Sequence, residues 1–269
     1  MTFPHRRAVL RAAASGVLAG LAGAPLVGCD EERRAAGGGG SSARASARAV
    51  PSGPPGAVGH APALRPLPAG LPAQIEHGPA GRKAVALTFH GRGDARTATG
   101  CLAEVERAGA RVTVLAVGDW LDAQPQLARR VLDGGHELGN HTMRHLDICA
   151  MSATAAYAEI TQCADRLRKL TGGVGRWFRP SKARLATAQV VRLARKAGYP
   201  HVLSYNVDSL DFTDPGAAAV QRAVLNGARP GSVVSLHFGH AGTVAALPAI
   251  LDGLHRRGLR AVTTSELLT

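Results

Sequence analysis

Three observations predict an α/β fold of parallel strands, a distorted and incomplete barrel of the (β/α)7 type. Strand-like and helix-like segments alternate from Gly81 to Thr269. The strands read as near-continuous apolar runs, as in a parallel sheet covered on both faces. Polar residues gather where those runs end, the side of such folds on which ligand and catalytic groups collect.

The elements follow in order. Ala84-Val-Ala-Leu-Thr-Phe89 is the first strand, followed by a helix near Thr97–Ala108 that Gly109 stops. Arg111–Val117 is the second strand, Gln126–Leu132 a helix ending at Gly134-Gly135, and His136–His141 the third strand. Ser152–Leu170 has helical periodicity through Ala156, Ile160, Leu167 and Leu170. Strand Trp177-Phe178, helix Ala188–Ala197, strand His201–Val207, helix Ala217–Leu225, strand Ser232–Phe238 and helix Val244–Arg257 continue the alternation. Strand Leu259–Val262 and a short helix near Ser265 end it.

Composition narrows the function classes. Hydrophobic residues make up 45% and aromatics 4%, so the core is built mainly of Val, Leu and Ala. The formal charge is +13, but 28 of the 32 basic residues are Arg and they are spread along the chain without interleaved aromatics. That pattern argues against a nucleic-acid interface and for a generally basic surface that tolerates anionic polymers.

The N-terminal region reads as a leader and a tether. Residues 1–28 place Arg6-Arg7 and Arg11 before the apolar stretch Ala12–Val27, as in an export signal. The end, Leu26-Val27-Gly28-Cys29, resembles the lipobox of bacterial lipoproteins, and Arg6-Arg7 resembles a twin-arginine signal. Residues 29–80 are then a lipidated Cys29 followed by a Gly/Ser/Pro/Ala/Arg linker, with the folded domain at 81–269. This places the protein outside the cell, lipid-anchored on the outer face of the bacterial cytoplasmic membrane, and as a monomer. In that compartment Cys149 and Cys163, which flank a helical segment, are the candidate disulfide, with Cys101 a buried thiol.

The strand ends carry His90-Gly91-Arg92-Gly93-Asp94, Asn140-His141-Thr142-Met143-Arg144-His145, Arg179-Pro180, Asp208-Ser209-Leu210-Asp211 and His237-Phe238-Gly239-His240. His141 and His145 are four apart, so one helical turn or a tight strand-to-helix bend would bring both to one side. An oxygen ligand from another strand would complete a facial set suited to Zn²⁺ or another divalent ion.

On these residues the chain resembles the polysaccharide deacetylases, carbohydrate esterase family four. Val85-Ala-Leu-Thr-Phe89, His141-Thr-Met-Arg-His145, Phe178-Arg179-Pro180, Tyr205-Asn-Val-Asp208-Ser-Leu-Asp211-Phe212 and Ser235-Leu236-His237 are similar to five ordered motifs of that family. The resemblance implies metal-dependent removal of acetyl groups from peptidoglycan, chitin-like glycans or xylan, with zinc the expected ion. It also implies His237, oriented by Asp211, as general acid, and Arg179 as partner of the general base. One motif departs: the family's Asp-Asp-Gly after Thr-Phe is His90-Gly91-Arg92-Gly93-Asp94 here. Two expectations follow. Either Asp94 joins His141 and His145 as metal ligand, with His90 or Asp94 as base, or the domain binds glycans without cleaving them. The third motif is also altered: Ser181-Lys182-Ala183 follows Arg179-Pro180, and Lys182 faces either solvent or an anionic or hydroxyl-rich ligand.

Overall fold

Period-two alternation in the central strand decides what faces where. In β2 (Ala84–Gly91), Val85, Leu87 and Phe89 join the large core beneath the helices. Ala84 and Ala86 face an inner core with Leu115, Trp177 and Val233, so Thr88 and His90 continue that inner column. The computed structural model describes residues 66–269. Its remaining elements are β1 (Gln74–Ile75), α1 (Ala95–Arg107), β3 (Thr113–Ala116), α2 (Gly118–Ala123), α3 (Gln126–Asp133), β4 (Glu137–Asn140), α4 (Ala153–Thr171), α5 (Ala188–Lys196), β5 (Val202–Leu203), β6 (Val207–Asp208), α6 (Ala217–Gly227), β7 (Val233–His237), α7 (Ala241–Arg256), β8 (Arg260–Val262) and α8 (Thr264–Leu268).

Every pairing between these strands is parallel. The main sheet runs β4-β3-β2-β7-β6, with β8 on the first residues of β2. β1 and β5 form a separate pair, tied to β4 by single bridges at Phe178 to Asn140 and to Val202. The α/β class with parallel strands is therefore as expected, but among the described residues the paired strands trace no closed cylinder. The expected strand Trp177-Phe178 is reduced to those two bridges. The expected strand His201–Val207 is interrupted into β5 and β6 around Ser204–Asn206.

Register brings the strand ends together. His90 lies opposite His237 on β7 and opposite Leu115 on β3. Leu115 in turn faces Gly139 on β4. A β-carbon at Gly139 would come within 2.7 Å of the Trp177 carbonyl and 2.9 Å of Leu115, so only glycine lets these backbones approach. Beneath the helices Phe89 stacks on Phe238 with centroids 4.8 Å apart, which holds β2 and β7 side by side just below the histidines.

Two further expectations are corrected. The linker does not extend to residue 80: Ile75 is buried in the inner core and pairs with β5, so the domain includes β1. The leader at 1–28 and Cys29 lie outside the described residues. Cys149 and Cys163 are not a disulfide. Cys163 sits on α4 in the large core, against the Ala116 carbonyl, whereas Cys149 belongs to a different core and faces the Leu185 carbonyl. Cys101 is the buried free thiol expected. A disulfide closing so short a loop would contribute about 3 kcal/mol. Reductant should therefore leave the melting temperature of the folded domain unchanged; a fall of several degrees would show that the two thiols are bridged.

Candidate metal centre and acid–base pair

The site begins with a buried guanidinium. Arg179 follows the Phe178 bridges and lies wholly inside the strand ends. Its Nε donates to the Leu203 carbonyl at 3.1 Å, and Nη2 donates to Thr88 Oγ1 at 2.9 Å and the Ser204 carbonyl at 3.0 Å. Its Nη1 lies 3.3 Å from His90 Nε2. Burial pushes its pKa down to about 10, so it stays charged at neutral pH. No carboxylate pairs with it among the described residues.

That cation fixes proton positions around it. A guanidinium only donates, so His90 Nε2 accepts, from Arg179 and from Ser235 Oγ at 3.0 Å. Neutral His90 then carries its proton on Nδ1, which points at His141 Nε2, 2.7 Å away. His141 Nδ1 lies 3.0 Å from the Arg179 carbonyl, which only accepts; Nδ1 therefore holds the proton and Nε2 offers a lone pair. A ring N–H given to a backbone carbonyl is how metal-binding histidines are oriented. Burial is the main cause that holds His90 and His141 well below the usual histidine range, followed by neighbouring positive charges.

His145 completes the cluster, but from a loop rather than a helical turn. Thr142 and His145 both adopt left-handed backbone conformations, with φ of 69° and 58°. The bend is held by Thr142 N–H on Asn140 Oδ1 at 2.9 Å and His145 N–H on Thr142 Oγ1 at 3.2 Å. Such strained residues persist where the surroundings over-determine them, commonly at ligand sites. His90, His141 and His145 each bring a nitrogen within 4.8 Å of the others. His145 Nδ1 is buried without a hydrogen-bond partner, the state of a donor atom awaiting a cation. Burial, with Lys182 and Arg92 nearby, lowers His145 from the usual 6.5 to about 4. Three neutral imidazoles fit a divalent cation that favours nitrogen. Binding one through His90 would require its proton to leave Nδ1 for Nε2, where Ser235 Oγ could accept it only if the Arg179 Nη1 N–H turned away, so cation and proton compete for the same place.

Asp94 takes no part in this cluster, and its expected role as metal ligand or base is corrected. It is the N-cap of α1: Oδ1 accepts from Thr97 N–H at 2.9 Å and Oδ2 from Thr97 Oγ1 at 2.6 Å. The loop before it is pinned, because the Gly93 carbonyl accepts from Trp120 Nε1 at 2.8 Å and Gln124 Nε2 at 2.9 Å. Gly91 cannot simply regain a carboxylate either, since a β-carbon there would lie 2.9 Å from Ala116 Cα.

The second half of the site is an acid–base pair. His237 Nδ1 lies 2.7 Å from Asp211 Oδ1, and Asp211 Oδ2 accepts from the His237 N–H at 2.8 Å and from Thr243 Oγ1 at 2.6 Å. Burial works against the Asp211 carboxylate, but the bonds from His237 and Thr243 outweigh it and its pKa is lowered. The His237 ring stacks on His90 with centroids 4.2 Å apart. Its Nε2 is left for a groove of about 510 Å³ that His237 lines with His90, His145, Tyr205 and Phe212. His240 is held instead by Asp214 at 2.8 Å. The sequence expectation thus missed that His90 is a third candidate ligand, although Thr88 and His90 share the inner face of β2.

Replacing Asp94 with Ala should lower thermal stability modestly through loss of the cap and leave metal stoichiometry unchanged, whereas His145→Ala should abolish tight metal binding. Equal loss of metal in both variants would contradict this arrangement. Stability should also fall with pH. Folding depresses the pKa of His90, His141 and His145, so only the unfolded chain takes up these protons as pH drops below about 6.5. Urea midpoints of the metal-free protein should therefore be highest above pH 7 and decline toward pH 4; a flat profile across that window would refute the buried neutral imidazoles.

Comparison with known proteins finds relatives over most of the described domain. A family model described as polysaccharide deacetylase matches residues 77–202. A peptidoglycan-N-acetylglucosamine deacetylase of Bacillus cereus is 34% identical over 196 residues, covering 69% of this chain and 88% of that protein. A chitooligosaccharide deacetylase of Rhizobium leguminosarum bv. phaseoli is 29% identical over 162 residues, covering 55% of this chain and 70% of that protein. A solved CE4 family pseudoenzyme from Bacillus anthracis superposes with a TM-score of 0.70 at 23% identity, covering 74% and 70% of the two chains, a likeness of fold. With its strand-end motifs, its parallel α/β architecture and these relatives, the chain belongs to the polysaccharide deacetylase family.

Proposed function

We propose that the domain is a metal-dependent deacetylase of N-acetylated glycans, of the kind named for its relatives on peptidoglycan and chito-oligosaccharides. The observation that carries this reading is the convergence of three imidazoles beside the His237–Asp211 pair at one groove. His90, His141 and His145 would hold the cation, with zinc the expected ion for an all-imidazole set. Such an ion supplies polarisation of the acetyl carbonyl and a more acidic water.

The chain's own groups carry the protons. His90 would be committed to the cation through Nδ1 and to Ser235 through Nε2, and Asp94 is a helix cap, so neither is free to act as base. His237 is free: its Nδ1 proton goes to Asp211, leaving the Nε2 lone pair toward the groove. Nε2 takes the proton of the attacking water as the C–O bond forms, then delivers it to the sugar nitrogen as the C–N bond breaks. The products are acetate and the free amine. Asp211 stabilises the imidazolium between the two transfers and keeps the ring in the required tautomer. His237 thus combines two roles that the family divides between a carboxylate and a histidine.

The proton between His90 and His141 favours a second reading, a glycan-binding domain without chemistry. Cys29 as a lipid anchor on an exported protein belongs to the same proposal and puts the groove near a cell-wall polymer. The test is acetate release from N-acetylglucosamine oligomers and peptidoglycan by zinc-loaded protein. His237→Ala should cost about 10²–10⁴ in rate, and chelation should remove activity. Metal bound in stoichiometric amount with no acetate from either substrate would establish the binding reading instead.

A further inference from the structure

The groove beside the histidines carries more positive charge than its own side chains neutralise. Arg92, Lys182 and Arg184 line it with one carboxylate, Asp208. Arg184 is already paired with Glu76, and Asp208 Oδ1 accepts from the Leu210 N–H. Arg92 and Lys182 are exposed and enter no ion pair among the described residues. They come from different loops, Arg92 after β2 and Lys182 after Phe178, and both are close enough to His145 for their charges to lower its pKa. Behind them lies the buried Arg179, also without a carboxylate partner. Lys182 is held in a left-handed backbone conformation with φ of 61°, which disfavours a residue bearing a β-carbon and which the fold maintains here.

Resting on the reading of the groove as a glycan site, we propose that it selects N-acetylated glycans whose repeating unit carries a carboxylate, and that Arg92 and Lys182 receive that group. A neutral acetylated oligomer leaves the two cations facing water. A carboxylate-bearing one places an anion beside two cations that enter no ion pair among the described residues, in a groove lined by the single carboxylate of Asp208. The attraction acts across a partly solvated groove, so its effect per charge is moderate and depends on salt.

The test is equilibrium binding to the intact protein, measured by calorimetry with three probes of equal length. These are a fully N-acetylated chito-oligosaccharide, a peptide-free peptidoglycan strand bearing lactyl carboxylates, and the same strand with its carboxylates converted to methyl amides. The carboxylate strand should bind about tenfold more tightly than either neutral probe at low ionic strength, and this ratio should shrink toward one at high salt. Arg92→Gln and Lys182→Gln should each lower the ratio about two- to fivefold. Lys182→Asn, which tolerates the left-handed backbone, should act like Lys182→Gln. A ratio near one in the wild-type protein, or one unchanged in all three variants, overturns the proposal. Because binding is read without turnover, a clear preference with no acetate release would sink the deacetylase reading and leave this inference standing. Acetate release from both unmodified strands without preference would do the reverse.

Discussion

A guanidinium sealed among strand ends, with no carboxylate paired to it among the described residues, governs the rest of the site. Arg179 spends three of its donors on Thr88 and two backbone carbonyls, and a fourth faces His90. Because it can only donate, it decides which nitrogen of His90 is bare, and thereby which one faces His141. The His141 ring is set from the other side by the Arg179 carbonyl. One residue therefore orients both imidazoles, through its side chain and its backbone. Here burial keeps the imidazoles beside the cation unprotonated, so no further positive charge is added to it.

The architecture below makes this possible by bringing short strands into close register. Alternate residues of β2 and β7 supply an apolar outer face that packs beneath the helices, and an inner column that ends in His90 and His237. Glycine at 139 lets the neighbouring backbones approach. The loops that leave the strands hold the strain: the non-glycine residues with positive φ, Thr142, His145, Lys182, Leu210 and Asp214, all lie on the segments after β4, Phe178 and β6. The core is regular and its rim is not, as expected when a rigid scaffold positions reactive groups.

Much of this was legible in the sequence, for identifiable reasons. Long helices such as α4 repeat their apolar residues over several turns, and β2 and β7 are near-continuous apolar runs. α2 was missed because six residues, Gly118–Ala123, are too few to show a period. β1 was missed because Gln74–Ile75 follow a Pro-rich stretch that reads as linker. The motif histidines lie side by side, whereas Asp94, expected as the third ligand, caps α1 and His90 stands beside the pair instead. Asp94 lies three residues before Thr97 at a helix start, an ordinary capping signal that competes with a ligand role for the same carboxylate. His90 shares its strand face with Thr88, and that alternation was the available sign that it turns inward. The tautomers were beyond sequence reasoning, since they depend on Arg179 arriving from another strand.

The central claim is that three imidazoles, without a carboxylate, form the cation site. X-ray absorption spectroscopy of the zinc-loaded protein tests it most directly. The account predicts three imidazole nitrogens at about 2.0–2.1 Å, with one imidazole contribution lost in His90→Ala. Two imidazoles and a protein carboxylate, unchanged by that substitution, would contradict it.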